Sequence, residues 1–87
     1  MAKTKSKKIY YLYILECKDR TLYTGVAKNL DDRIAKHKLG QATKYTRSRG
    51  FKKLLYFEKH KSWPAALKRE WAIKKLSRAE KLALIKK

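Results

Sequence analysis

The segment Ile9–Cys17 (Ile-Tyr-Tyr-Leu-Tyr-Ile-Leu-Glu-Cys) is aliphatic or aromatic at odd and even positions alike. A strand with one wet face alternates in polarity, whereas a strand without alternation has to be covered on both faces. That requirement weighs heavily on a chain of 87 residues, which forms one small domain and buries only about 60–65% of its unfolded surface. The basic residues before the run give it the look of a signal peptide. Glu16 and Asp19 follow it directly, however, no small-residue cleavage site is present, and the apolar stretch is too short to span a bilayer. Met1–Lys8 reads as a flexible basic arm, and residues 9–87 as a single domain.

Lys18-Asp19-Arg20 reads as a turn and Thr21–Val26 as a returning strand, which together make an antiparallel hairpin. Asn29 is a good helix N-cap, with Asp31 and Asp32 at the positive end of the helix dipole. Leu30 and Ile34 form that helix's apolar stripe, and Gly40 is a fitting stop. Gln41–Gly50 is a polar, basic loop or short helix. Lys53–Glu58 reads as a third strand, and Ser62 caps a helix that tolerates Pro64 in its first turn and runs to about Leu76. Ser77-Arg78-Ala79-Glu80 is a capping box that opens a last short helix. The expected class is α+β, a small three-stranded antiparallel sheet flanked by helices in the order β-β-α-β-α-α.

Twenty-five Lys and Arg face seven Asp and Glu, a net charge of +18. With 44% hydrophobic residues the chain is too apolar for a disordered basic tail, so the charge decorates a folded surface. Such a field seeks a polyanion, either nucleic acid or an anionic membrane. The helices lack the broad exposed apolar face a membrane-surface helix needs. A single cysteine, Cys17, excludes a disulfide framework and fits a buried strand position. The compartment expected is cytoplasmic.

Several residues are candidates for chemistry. On a helical wheel Glu70 falls on the same face as Trp63, Ala66, Leu67, Ile73 and Trp71. An ionised carboxylate is costly there unless it is paired or binds a metal. A core-edge salt bridge and a metal-binding carboxylate both fit. Arg33 and His37 lie one helical turn apart, either on an exposed edge or placed to bind a phosphate and move a proton. Tyr11, Tyr13 and, in an even register, Tyr23 share one sheet face, as packing residues or as chemical groups. Gly25 within a strand marks a place where another group comes close to the backbone.

Taken together, Tyr11-Leu12-Tyr13, Tyr23-Thr24-Gly25, Asn29-Leu30-Asp31-Asp32-Arg33, His37 and the later Arg69-Glu70 resemble the GIY-YIG nuclease superfamily, and most closely its small single-domain bacterial members. The likeness extends from about Ile9 to Leu84. Tyr11 and Leu12 replace the Gly and Ile of the first motif, Thr24 replaces an apolar residue of the second, Val26 stands where some relatives have Lys, and Leu82 lies near the position of a late Asn. The resemblance implies a metal-dependent endonuclease that cleaves phosphodiester bonds in DNA by attack of water. It assigns Tyr13 and Tyr23 as the motif tyrosines, Gly25 as the motif glycine, Arg33 as the catalytic arginine and His37 as the position one turn on. Glu70 is the carboxylate that holds one divalent ion, Mg²⁺ or Mn²⁺.

In this scheme Arg33 offers a planar fork to the scissile phosphate, and the ion on Glu70 stabilises the leaving 3′-oxygen. Tyr13, ahead of Tyr23, takes the water proton, and His37 receives the phenolic one. An ordinary phenol needs roughly 4 kcal/mol of help to act as a base at pH 7. Lys44, Tyr45, Arg47 and Arg49, interleaved with Thr43, Thr46 and Ser48, form an expected nucleic-acid contact set, with the hydroxyls on phosphate and Tyr45 on a base. Phosphate contacts carry no sequence information, so structure-selective or non-specific binding follows. About six such contacts give a log–log salt slope near −5. DNA is the expected substrate, in repair or recombination, with RNA a weaker alternative. A nucleic-acid-binding module of the same fold with weak or lost catalysis is the competing reading. A ribosome-associated basic protein fits the composition but not the Tyr/Arg/Glu set.

Overall fold

The structure, a computed structural model, describes residues 8–86. Apart from Lys8, the arm expected over residues 1–8 lies outside that range. The elements are β1 (Tyr10–Cys17), β2 (Leu22–Ala27), α1 (Leu30–Lys38), α2 (Lys44–Arg49), β3 (Phe51–His60), α3 (Trp63–Lys74) and α4 (Arg78–Ile85). The α+β class and the three-stranded antiparallel sheet are as expected. Of the two readings of Gln41–Gly50, loop or short helix, the short helix holds over Lys44–Arg49. β3 extends beyond Lys53–Glu58 at both ends, and α3 stops short of Leu76.

The strand order is β2-β1-β3, which puts the non-alternating strand in the middle. Leu12, Tyr13, Ile14 and Leu15 are all fully buried there. Tyr13, Leu15 and Cys17 pack with Ala27 and Leu30 on the α1 side of the sheet, while Leu12 and Ile14 pack with Ile73 on the α3 side. Helices on both faces supply the cover that the strand's composition demands.

The β1–β2 register pairs Tyr11 with Ala27, Tyr13 with Gly25 and Leu15 with Tyr23. Tyr11, Tyr13 and Tyr23 therefore share one face. β3 pairs with β1 through two register shifts, one between Ile14 and Leu15 and one between Glu16 and Cys17. These shifts bring Phe51 and Leu54 onto the α1 face, where both pack against the core. Three helix starts carry the side-chain caps read from the sequence, namely Asn29, Ser62 and the Ser77/Glu80 capping box. Gly40 follows α1 at φ +72°, a conformation that favours glycine.

α3 is tied to the sheet by a polar brace. Arg69 donates from Nε to both Glu58 oxygens at 3.0 and 3.1 Å and from its terminal nitrogen at 2.9 Å. The Tyr56 hydroxyl donates to the same carboxylate, and His60 Nε2 lies 3.0 Å from it. Burial alone would raise the Glu58 pKa, but the hydrogen bonds from Arg69, Tyr56 and His60 hold it down to about 2. Glu58 thus lies inside β3 at the centre of a network, rather than closing the strand.

Candidate active site

β2 is an edge strand, and only Lys28 and Asn29 separate it from α1. That short connection places the first turns of α1 beside the strand carrying Tyr23 and Gly25. The inward positions of α1 point at the same sheet face, so Arg33 and His37 are not on an exposed edge. His37 is 1% exposed, and Arg33 is half-buried with Nε lacking a hydrogen-bond partner. A buried guanidinium nitrogen without a partner is costly, and a bound anion would satisfy it.

The Tyr13 hydroxyl lies 2.8 Å from His37 Nε2. The rings of Tyr13 and Tyr23 meet the imidazole edge-on at 5.6 and 5.5 Å. Gly25 is what permits this packing. A Cβ there would sit 2.6 Å from the Tyr13 hydroxyl oxygen, 2.7 Å from its Cζ and 3.0 Å from Tyr23 Cε2. The cross-strand partner of Tyr13 must therefore have no side chain, and the phenol crosses over its backbone.

Burial pushes the Tyr13 phenol up to about 12. The nearby Arg33 guanidinium works against that shift, while the charges of Tyr23 and then Glu70 add to it. His37 moves the other way, down to about 4, through burial and then the Arg33 charge. At neutral pH the pair is a neutral phenol beside a neutral imidazole. The proton-transfer demand on Tyr13 is accordingly near 7 kcal/mol, not the roughly 4 kcal/mol of an unperturbed phenol.

Glu70 faces inward on α3 between the buried Ala66 and Ile73, close enough for its charge to act on Tyr13. Its carboxylate lies 3.3 Å from Lys74 Nζ, with 20% of the Glu70 side chain exposed. Leu67 and Trp71, expected on the same face, are 40% and 64% exposed instead. The inward stripe of α3 is narrower than the wheel implies, with Ala66 and Ile73 as its buried residues. Glu58 is shielded as well, but its oxygens are taken up by Arg69, His60 and Tyr56. Glu70 is left with one neighbouring lysine. Among the described residues no group of three or more His, Cys, Asp or Glu gathers to hold a metal. A lone carboxylate that phosphate and water can supplement is a donor set suited to Mg²⁺.

The basic segment divides into different environments. Lys44 and Arg47 are exposed on α2. Arg49 donates to Asp19 at 2.7 Å and lies over the Tyr45 ring at 4.6 Å, so part of its charge is already engaged. Tyr45 packs on Tyr23 at 5.4 Å, extending the aromatic series from Tyr13 and His37 toward solvent. Thr46, expected on phosphate, is 1% exposed and lies 2.7 Å from His37 Nδ1. Thr43 is the N-cap of α2. The sequence signal for these roles was a Thr preceding a helix with a second Thr three positions on, a pattern that the abundance of basic residues obscured.

An open cleft of about 430 Å³ adjoins the cluster, lined by Val26, Lys28, Asn29, Arg33, Lys36 and Trp63 among others. Trp63 and Lys28, whose ammonium lies 5.9 Å from the indole centroid, were not singled out by sequence reasoning as site residues. They form the wall facing Arg33. No helix of the described residues is long and apolar enough to cross a membrane.

The chain is similar to known proteins along nearly its whole length. It is 53% identical over 75 residues to a UPF0213 protein of Clostridium perfringens, covering 86% of this chain and 81% of that one. It is also 53% identical over 77 residues to a UPF0213 protein of Syntrophus aciditrophicus, covering 87% and 88%. Among solved structures, the NMR structure of a UPF0213 protein from Bacillus halodurans superposes with a TM-score of 0.58 at 42% identity, over 90% of this chain and 83% of that one. The model of the GIY-YIG catalytic domain matches residues 9–83. That span contains both tyrosine motifs, Arg33, His37 and Glu70, and the chain belongs to the GIY-YIG catalytic domain family, a family of nucleases.

Proposed function

We propose that this protein is a Mg²⁺-dependent DNA endonuclease, with Mn²⁺ as an alternative ion, that cleaves without sequence preference. The observation that carries the reading is the convergence of Tyr13, Tyr23, Arg33 and His37 in one packed cluster, electrostatically coupled to Glu70. Family membership supports nuclease chemistry and a nucleic-acid substrate. The net charge of +18 supports binding through phosphates.

Arg33 receives the scissile phosphate in the cleft, where its unpartnered Nε and its charge stabilise the crowded, more negative transition state. Glu70, now beside Lys74, would hold the divalent ion, which when bound would supply positive charge for the attacking water and the leaving 3′-oxygen. Tyr13 accepts the water proton as its own moves to His37. The two transfers are coupled, because a free phenolate at about 12 is out of reach at neutral pH. Phosphate bound to Arg33 neutralises one of the two influences that hold His37 low, which makes the imidazole a better acceptor when substrate is present. Lys44 and Arg47, with the wall of Lys28, Lys36 and Trp63, grip the flanking strand.

The test is incubation of the purified chain with nicked, branched, single-stranded and duplex DNA, with and without Mg²⁺. Metal-dependent cleavage lost in both Glu70→Ala and Arg33→Ala, with binding retained, is the expected result. Binding without cleavage of any substrate, or cleavage unchanged in Glu70→Ala, overturns the enzyme reading in favour of a binding module.

A further inference from the structure

A buried line of side chains runs from the Tyr13 hydroxyl through the His37 ring to Thr46 and Thr43 on α2. Successive separations are 2.8, 2.7 and 3.0 Å. Extending the nuclease reading above, we propose that Thr46 is a positioning residue for the reaction. Its hydroxyl oxygen holds His37 in the Nδ1–H tautomer and leaves Nε2 bare to take the proton of Tyr13.

The line can be oriented in two ways. In one, the Thr46 hydroxyl donates to Nδ1 and Nε2–H donates to the phenol oxygen. The phenol proton then has no acceptor on hand, because His37 is the hydrogen-bond partner of the Tyr13 hydroxyl among the described residues and the nearby Arg33 guanidinium only donates. In the other, the Tyr13 hydroxyl donates to Nε2, Nδ1–H donates to Thr46 Oγ1, and the Thr46 hydroxyl donates to Thr43 Oγ1. Thr43 Oγ1 also accepts the Thr46 backbone N–H at 3.2 Å, and Thr43 is half-buried, so its own hydroxyl proton can reach water. Every buried proton then has a partner, which folded proteins strongly favour.

The second orientation is also the one that chemistry needs. A proton leaving Tyr13 requires a lone pair at Nε2, and in water the Nδ1–H form of imidazole is the minor one. It has to be imposed by an acceptor at Nδ1. Thr46 is well placed to do so. It is buried, β-branched and hence stiff about χ1, and fixed in α2 by the Thr43 cap and by the Gly50 N–H donating to its carbonyl at 2.8 Å. The Tyr13 and Tyr23 rings pack edge-on against the imidazole and oppose its flipping.

The test combines ¹⁵N NMR of the imidazole nitrogens with steady-state cleavage, using the full chain and its Thr46→Val and Thr46→Ser variants. A His37→Gln variant separates the His37 signals from those of the second histidine, His60. Expected for the wild type and Thr46→Ser is a protonated Nδ1 and a bare Nε2. In Thr46→Val, which keeps the shape and removes the acceptor, the population moves to Nε2–H. Its kcat falls on the order of 10- to 100-fold, up to the lower end of a general acid–base contribution, because the imidazole itself is retained. KM is unchanged, and Ser restores the rate. A wild-type His37 in the Nε2–H form overturns the proposal, and that spectrum decides the matter even where Thr46→Val fails to fold. So does a folded Thr46→Val that keeps the wild-type tautomer or the wild-type kcat. If the wild type shows the Nδ1–H form yet cleaves nothing, the nuclease reading has failed, and with it any catalytic role for Thr46, while the tautomer lock itself stands.

Discussion

The depressed basicity of His37 makes the fold sensitive to acid in a window set by that one ring. Its pKa is about 4 in the folded chain against 6.5 for an ordinary histidine, through burial and then the Arg33 charge. The unfolded chain therefore takes up the proton first. The stability gained by keeping the ring neutral is complete above the unfolded value and drains away as pH falls from 6.5 toward 4. Between pH 7 and pH 4.5 the linkage integral amounts to about 2 kcal/mol, a large share of the stability of a domain this small. Urea unfolding followed by tryptophan fluorescence at the two pH values, for the wild type and His37→Gln, isolates this effect, because carboxylates and His60 contribute to both chains alike. The wild type should lose about 2 kcal/mol more than the variant over that interval, whatever their difference at pH 7. Parallel losses, or an NMR titration of His37 with a midpoint near 6.5, would refute the reasoning. Either result would mean that water reaches the ring or that its bonds to Tyr13 and Thr46 do not persist.

Gly25→Ala should destabilise the chain by about 1–3 kcal/mol, the usual cost of forcing an extra methyl into a packed site. It should also reduce cleavage more than binding, since the added Cβ meets the Tyr13 phenol first; denaturation midpoints and a gel assay check the two effects. Glu58→Gln should cost about 1–2 kcal/mol, because Arg69 loses a bidentate carboxylate but is itself partly exposed. The folded Glu58 pKa is depressed to about 2, so its contribution is present above the unfolded carboxylate value and is lost as pH falls toward 2. The wild-type-minus-variant difference in thermal stability should therefore shrink below about pH 4.5, and a constant difference would remove the brace from the account.

Much of the fold is written locally. Helix caps lie next to the residues they cap, so Asn29, Ser62 and the Ser77/Glu80 box mark their helices without tertiary information. The double-sided burial of β1 follows from its apolar residues at both parities. β3 was harder to read, because its two register shifts alter which residues face α1. No period-two pattern survives such shifts, so the sequence marks only the middle of the strand. The wheel for α3 identified Glu70 as inward-facing but overstated the apolar face, since helical periodicity gives directions and not the width of a contact.

The residues of the candidate site were legible through their order along the chain: Tyr13, Tyr23, Gly25, Arg33, His37 and Glu70. Their electrical state was not. Sequence alone carries an ordinary phenol and an ordinary imidazole. Desolvation, which depends on atoms brought in from α1, α2 and the sheet, moves Tyr13 to about 12 and His37 to about 4. The roles of Thr46 and Arg49 were likewise decided by packing. Thr46 turns inward to His37, and Arg49 is drawn to an aspartate thirty residues away in sequence. The chain by itself determined a basic α+β domain with a doubly covered strand and a nuclease-like order of residues. Only the tertiary structure decided which hydroxyls face solvent, which cations are already paired and which way a proton can move, because those depend on distances between segments that no local pattern encodes.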